Sequence, residues 1–410
     1  MPSPVTAMAR RHHGFLLTAL LSFFTAWLVD PATALATRRL ETAPDGLAQP
    51  PPGAVLPSRD LSERAQELED QAGVLYSAGR YEEALQAQRD SVASHRQLAA
   101  QDPSQRLRLA AALHNLGVVL IRLERKSEAI APTAEALALY RAAPSAQGGE
   151  ASLALERPLR NLVLLHYETN HPLEALPLAD ELVRLHQDAP VEDPRASAAL
   201  MDVLNLRASL LVSLNRSDDA MRDLQGAVAI ARRQAGQSPE NPVLRHGLAG
   251  SLLNLSAVAD LLGLVDQALP PAQEAETLLR PLASVHPAVN GDWAKALSRL
   301  GQAYARQGDA ARARPALEQA VGLLRPLNPA GPSRTLNVEL GGYRDDLALA
   351  LETLAAVNQR LQRPKEARAA GEEALRLYIT LTQIDPRYQR DVERTRRWLT
   401  TWPALTPAQR

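Results

Sequence analysis

The sequence predicts an all-α chain built as a one-dimensional array of antiparallel helix hairpins. Aromatic residues make up 4% of the chain against 46% hydrophobic overall, and its three phenylalanines, Phe15, Phe23 and Phe24, all lie near the N-terminus. The rest must be packed with Ala, Leu and Val, which suits close helices better than an aromatic-cored β-sandwich. A second observation is a pattern of small and apolar residues that returns with spacings of 45, 46, 45, 48, 45 and 54 residues. A third is a column rich in Gly and Asn inside that pattern, where a helix would have to stop.

The N-terminus reads as a secretory leader over residues 1–36. Arg10 and Arg11 form a basic start, Gly14 to Val29 an apolar run short for a membrane span, and Ala34-Leu35-Ala36 a small-residue cleavage pattern. Residues 37–60 follow as a Pro-rich linker containing Pro50-Pro51-Pro52-Gly53, since proline fixes φ and removes a donor. A membrane tether follows only if the leader is retained. Cysteine is absent, which excludes disulfides, thiolate zinc sites, iron–sulfur ligation and cysteine nucleophiles. Export without disulfides fits a bacterial periplasm or exterior. Net charge is −1, from 45 Lys and Arg against 46 Asp and Glu, so no nucleic-acid footprint is visible.

Residues 61–385 read as seven repeats, anchored on Ala84, Ala129, Ala175, Ala220, Ala268, Ala313 and Ala367. Sixteen residues before each anchor stands a leucine: Leu68, Leu113, Leu159, Leu204, Leu252, Leu297 and Leu351. Four residues further on the position is small in six of seven units, as in Ala72, Gly117 and Gly301. These two columns share one face of a first helix. The column five before the anchor (Gly79, Glu124, Asn170, Asn215, Gly263, Gly308, Gln362) should end that helix in the left-handed conformation. The anchor and the residue seven later share one face of a second helix. Each hairpin then carries an apolar stripe that only a stacked neighbour can cover. Pro132, Pro177, Pro270, Pro271 and Pro315 fall two or three residues past an anchor, in the second turn of that second helix, where they should remove a hydrogen bond or bend it.

This pattern resembles the tetratricopeptide repeat, over roughly Leu61 to Tyr378. Leu297, Leu300-Gly301, Tyr304, Gly308, Ala313, Leu317 and Ala320 carry it best; Leu113, Leu116-Gly117, Leu120, Ala129 and Ala136 carry it next, and the first unit offers Leu75, Gly79, Tyr81 and Ala84. The period is about eleven residues longer than the family's usual 34, which would lengthen both helices. The resemblance implies a right-handed superhelical solenoid whose first helices line a concave, partner-binding surface. Residues 386–402 read as a capping helix, with Tyr388, Val392, Thr395, Leu399 and Trp402 inward and Arg387, Arg390, Arg394 and Arg397 on other faces; residues 403–410 are a tail.

Catalytic motifs are absent: there is no H-E-x-x-H, P-loop or nucleophile elbow. His166 and His171, five apart, suit no single helix face. No catalytic residue, metal or cofactor is therefore expected. Counting back along the first helices places Asn115, Arg157, Asn161, Asn205, Asn254, Lys295 and Arg299 on the groove wall, where amides can both donate to and accept from a partner's backbone. Asn254, Lys295 and Arg299 are similar to part of the carboxylate clamp of cochaperone tetratricopeptide domains, although Asn205 and Ser209 stand where that clamp has Lys and Asn. Asn115, Arg157 and Asn161 form a weaker copy. The expected function is that of an exported scaffold or adaptor gripping a protein or peptide. The alternatives are a self-associating structural solenoid and, further off, an enzyme with an unrecognised groove site.

Overall fold

The computed structural model describes residues 58–143, 149–187, 194–328, 338–383 and 386–401; the expected leader, most of the linker, Trp402 and the tail lie outside them. Among the described residues there are fifteen α-helices and no strand. They pair as α1 (Ser58–Ser77) with α2 (Tyr81–Gln101), α3 (Arg106–Arg122) with α4 (Lys126–Arg141), and α5 (Gly149–Glu168) with α6 (Pro172–Gln187). Then come α7 (Pro194–Ser213) with α8 (Ser217–Gln237), α9 (Pro242–Leu261) with α10 (Val265–Val285), α11 (Asn290–Gln307) with α12 (Ala310–Leu324), and α13 (Val338–Arg360) with α14 (Pro364–Thr382). Helix α15 (Gln389–Thr401) follows a single 3₁₀ turn at Pro386–Tyr388. The chain divides into two units after Asp188: three hairpins in the first, four hairpins and α15 in the second. Within each unit, successive hairpins stack in chain order.

Every anchor alanine is the fourth residue of its second helix, and all seven are fully buried. The leucine column is buried throughout as well. The spacing between the columns is thus a packing distance: leucine and small residue on one helix receive alanine and its partner seven later from the other. At two hairpins the fit leaves no room for a β-carbon. One built on Gly117 would lie 2.3 Å from Thr133 Oγ1, and one on Gly301 2.5 Å from Leu317 Cγ.

The turns obey one rule. The seven residues with positive φ among those described are the seven members of the Gly/Asn column: Gly79, Glu124, Asn170, Asn215, Gly263, Gly308 and Gln362, with φ between 55° and 86°. In each turn the next N–H reaches back to the carbonyl five residues earlier, as in Arg80 N to Leu75 O (2.9 Å) and Arg363 N to Asn358 O (2.9 Å). That is the Schellman closure, which satisfies carbonyls otherwise orphaned at a helix end. The second helix then restarts two residues on. At four restarts the N-cap arginine pairs with an acid three residues later: Arg80 with Glu83, Arg125 with Glu128, Arg216 with Asp219 and Arg363 with Glu366. The acid thus lies near the positive end of the helix dipole. The prolines sit where expected, inside α4, α6, α10 and α12, and each helix continues past them.

Second helices of neighbouring hairpins are joined by a repeated ion pair. An arginine twelve residues after one anchor meets a glutamate six after the next: Arg96 with Glu135, Arg141 with Glu181, Arg232 with Glu274 and Arg325 with Glu373. Arg280 occupies the same position, but Gln319 stands opposite in the sequence, and Arg280 turns back to Glu276 on its own helix (2.8 and 2.7 Å).

Helix α15 covers the last hairpin, with Tyr388, Val392 and Thr395 buried. One expectation is corrected. Arg394, assigned to an outward face, turns inward and forks Glu352 of α13 through Nε–Oε1 (2.8 Å) and Nη2–Oε2 (2.7 Å). Tyr378 donates to the same carboxylate at 2.9 Å. A buried glutamate on α13 demands a counter-charge, and α15 supplies it.

Candidate functional site

In the second unit the first helices α7, α9, α11 and α13 neighbour one another, and polar residues line their seam. Asn254 Nδ2 donates to Asn205 Oδ1 at 2.9 Å, and Asn205 Nδ2 donates to Met201 O at 2.9 Å. Both amides are buried, so two predicted groove residues meet each other from adjacent repeats. Lys295, also buried, lies 3.5 Å from Asp292 and 3.7 Å from Asp346 of α13, with its ammonium over the ring of Tyr343. His246 of α9 bonds Asp292 at 2.9 Å. Arg299 donates to Gln302 at 3.1 Å and acts electrostatically on Asp260, Asp345 and Asp346.

The acids of this seam were not anticipated. Burial pushes the Asp345 carboxyl well up, with neighbouring Asp346 adding to it, and burial likewise raises Asp346. Burial raises Asp260 too, against the pull of Arg306. Asp292 goes the other way: burial opposes its charge, but the His246 hydrogen bond and Lys295 hold it below its ordinary value. The available signal was Asp345-Asp346 heading the apolar run within α13, two adjacent acids directly before residues of core type. A seam in which the cations already face carboxylates is a poor receptor for another carboxylate. It works as a charged lock between hairpins.

In the first unit the expected residues are more exposed. Asn115 on α3 and Arg157 on α5 are exposed, and Asn161 is half-buried. On neighbouring α1, Gln66 and Asp70 are exposed and bonded to each other at 3.0 Å. Arg157 lies near enough to His114 of α3 and Tyr140 of α4 to act on both. Burial first, and the Arg157 charge second, push His114 down to about 4. It is therefore a neutral imidazole at pH 7, and its Nδ1 has no hydrogen-bond partner among the described residues. The Arg157 guanidinium thus has an imidazole and a phenol nearby, with Asn161 one turn further along α5. It suits a polar segment that carries negative charge.

The turn after α5 brings His166 and His171 together despite their spacing, with ring centroids 6.3 Å apart and planes at 80°. His171 Nδ1 is engaged by Thr169 Oγ1 at 3.0 Å. Among the described residues no group of three His, Asp or Glu has the geometry to hold a metal.

Three segments, residues 72–103, 109–143 and 293–325, match the family model of the tetratricopeptide repeat. They are the three units in which the sequence pattern is fullest. No curated protein matches the chain. Among solved structures, it is similar to the apo form of RapI at 10% identity, covering 78% of this chain and 99% of that one with a TM-score of 0.50. A tetratricopeptide repeat protein from Parabacteroides merdae aligns at 15% identity over 81% of this chain and 99% of that one, TM-score 0.48. BtubC from P. vanneervenii aligns at 20% over 63% and 92%, TM-score 0.47. At these identities the likeness is one of fold.

Proposed function

We propose that this chain, which belongs to the tetratricopeptide-repeat proteins, is an exported scaffold that holds a protein or peptide segment against the first helices of its first unit. Proteins of this family generally bind protein or peptide partners through their repeats. The observation that carries the reading here is the exposed Arg157, near His114 and Tyr140, one helical turn before Asn161 on α5, with Asn115 exposed on α3. The guanidinium would pair with a carboxylate of the partner while the amides bond its backbone. Helices already fixed by the packed hairpins of that unit lower the ordering cost of that contact. Lys295, Asn205 and Asn254 hold the second unit together and leave recognition to the first. The basic start, apolar run and A-x-A pattern of residues 1–36 support delivery to a periplasm or the exterior.

The test is affinity capture from a periplasmic extract with wild type and with Arg157→Ala/Asn161→Ala. The double variant should lose the bound partner at unchanged helicity and melting temperature. With the captured partner in hand, His114 reports the contact by NMR. An anion on Arg157 removes part of the charge that depresses the imidazole, so its pKa should rise on binding. Full capture by the double variant, or an unmoved His114, would place the partner elsewhere. A fusion of residues 1–60 to a reporter that stays in the cytoplasm would defeat the export half of the proposal.

A further inference from the structure

A cleft of about 540 Å³ opens between second helices α2 and α4 of the first unit. Its floor is α3, through Leu113, Leu116 and Leu120. Those positions are three and four apart, the spacing of a coiled-coil seam, and Leu116 is only half-buried. The walls are low because Ala93, Ala131 and Pro132 stand there. The rims carry opposite charge: Arg89 and Arg96 on α2, Glu128 and Glu135 on α4. Each rim pair is seven residues apart, about two helical turns or ~10.5 Å. The cross-cleft pairs Arg89–Glu128 and Arg96–Glu135 step in the same direction, so the two rims run parallel. The equivalent place in the fourth hairpin is closed by the Arg207–Asp223 pair (2.8 and 2.7 Å) instead of by Leu and Pro.

We infer that this cleft is a second docking surface, and that its occupant is an amphipathic helix of a partner protein. The apolar stripe of that helix lies over Leu116, its acidic flank faces Arg89 and Arg96, and its basic flank faces Glu128 and Glu135. The floor offers Leu116, between the buried Leu113 and Leu120, and the rims supply the flanking charges that set register and direction in a coiled coil. The rim pairs are largely solvent-exposed, and such pairs contribute little. Each rim charge exchanges its partner for one of like sign on the incoming helix, so charge pairing is conserved. The gain comes from covering the exposed Ala93 and Ala131 and the half-buried Leu116 and Pro132. This surface is separate from the Arg157 face and does not depend on it.

The probe is a fluorescein-labelled synthetic helix of three heptads, with Leu at the seam positions, Glu on one flank and Lys on the other. Its binding to the full chain is followed by anisotropy. Binding in the micromolar range is expected. Ala131→Trp, which fills the cleft from an exposed position, should weaken it at least tenfold at an unchanged melting temperature. Arg89→Glu/Arg96→Glu should weaken it similarly, and a peptide with Lys on both flanks should recover the loss. Arg157→Ala should change nothing. Equal binding to wild type and Ala131→Trp, or no recovery by the charge-matched peptide, overturns the inference. So does a concentration-dependent dimer of the full chain that Ala131→Trp dissolves, because the occupant would then be a second copy. If Ala131→Trp misfolds, the charge-exchange pair decides alone.

Discussion

Arg325, the C-cap of α12, forks Glu373 on α14, Nε to Oε1 at 3.0 Å and Nη2 to Oε2 at 2.7 Å, across forty-eight residues of chain. The same two repeat positions pair at three other junctions between second helices. The interaction belongs to the repeat as the alanine does, except that each hairpin supplies only half of it. The fifth hairpin offers its arginine and the sixth answers with Gln319.

Gln319→Glu should therefore complete the ladder within the second unit. Arg280 would leave or share Glu276 and reach the new carboxylate. The pair is exposed, so the gain is small, about 0.2–1 kcal/mol, and salt should erode it. Urea titrations at low and at 0.5 M NaCl check this. The variant should be more stable than wild type only at low salt, and a gain abolished by Arg280→Gln would locate it. A gain that persists in Arg280→Gln removes the ladder from the explanation.

Gly301→Ala tests the closest helix contact. The added carbon would lie 2.5 Å from Leu317 Cγ and 3.3 Å from the Ala313 carbonyl. The backbone side of that contact cannot rotate away, so overpacking should cost roughly 1–3 kcal/mol despite the better helix propensity of alanine. Combining it with Leu317→Ala should recover part of the loss, giving a coupling that a double-mutant cycle reads directly. Strict additivity would mean that the two residues do not meet.

Gln362→Gly addresses the turn column. Gln362 holds φ at 55°, which costs a side-chain-bearing residue about 1–2 kcal/mol. Glycine removes that strain but enlarges the unfolded ensemble by roughly 0.4–1 kcal/mol. A net stabilisation of about 0.5–1 kcal/mol follows, seen as a higher urea midpoint at constant slope. Gly308→Ala, at φ 86°, should move the midpoint the other way.

The repeat was legible because each of its columns answers to a local steric demand. Ala129 or Ala313 must be small and Gly263 must tolerate positive φ whatever lies around them, so residue type alone gives them away. The ion-pair ladder was not legible, since arginine and glutamate on a helix surface are ordinary and only the stacking of α12 against α14 makes Arg325 and Glu373 neighbours. The groove residues were half legible. Counting placed Asn205 and Asn254 on the same seam, but not that they would satisfy each other, nor that Asp346 would arrive from α13 to meet Lys295. Arg394 was misplaced for a related reason. Helical spacing gave it a polar face, and the buried Glu352 that draws it inward lies forty-two residues earlier in the chain.

Beside that arginine, a second buried acid makes the docking of α15 depend on pH. Burial, with Glu352 adding and Arg394 opposing, pushes the Asp391 carboxyl up from 3.8 to about 6. An acid whose folded pKa exceeds its unfolded value binds more protons in the folded state. Stability therefore falls as pH rises from about 4 to 6, and the penalty is complete above that window. Asp391→Asn cannot ionise, and its side-chain oxygen can still accept from Arg394 Nη1, which lies 2.5 Å from Asp391 Oδ1 in the native contact. The variant should match wild type near pH 4 and exceed it at pH 7.5 by on the order of 1–3 kcal/mol. Hydrogen exchange should assign the change to α15 and the end of α14. Arg394→Met should do the reverse and destabilise both, since it strands Glu352 without its cation. An Asp391→Asn variant no more stable than wild type at pH 7.5 would mean that Arg394 already compensates the buried charge in full.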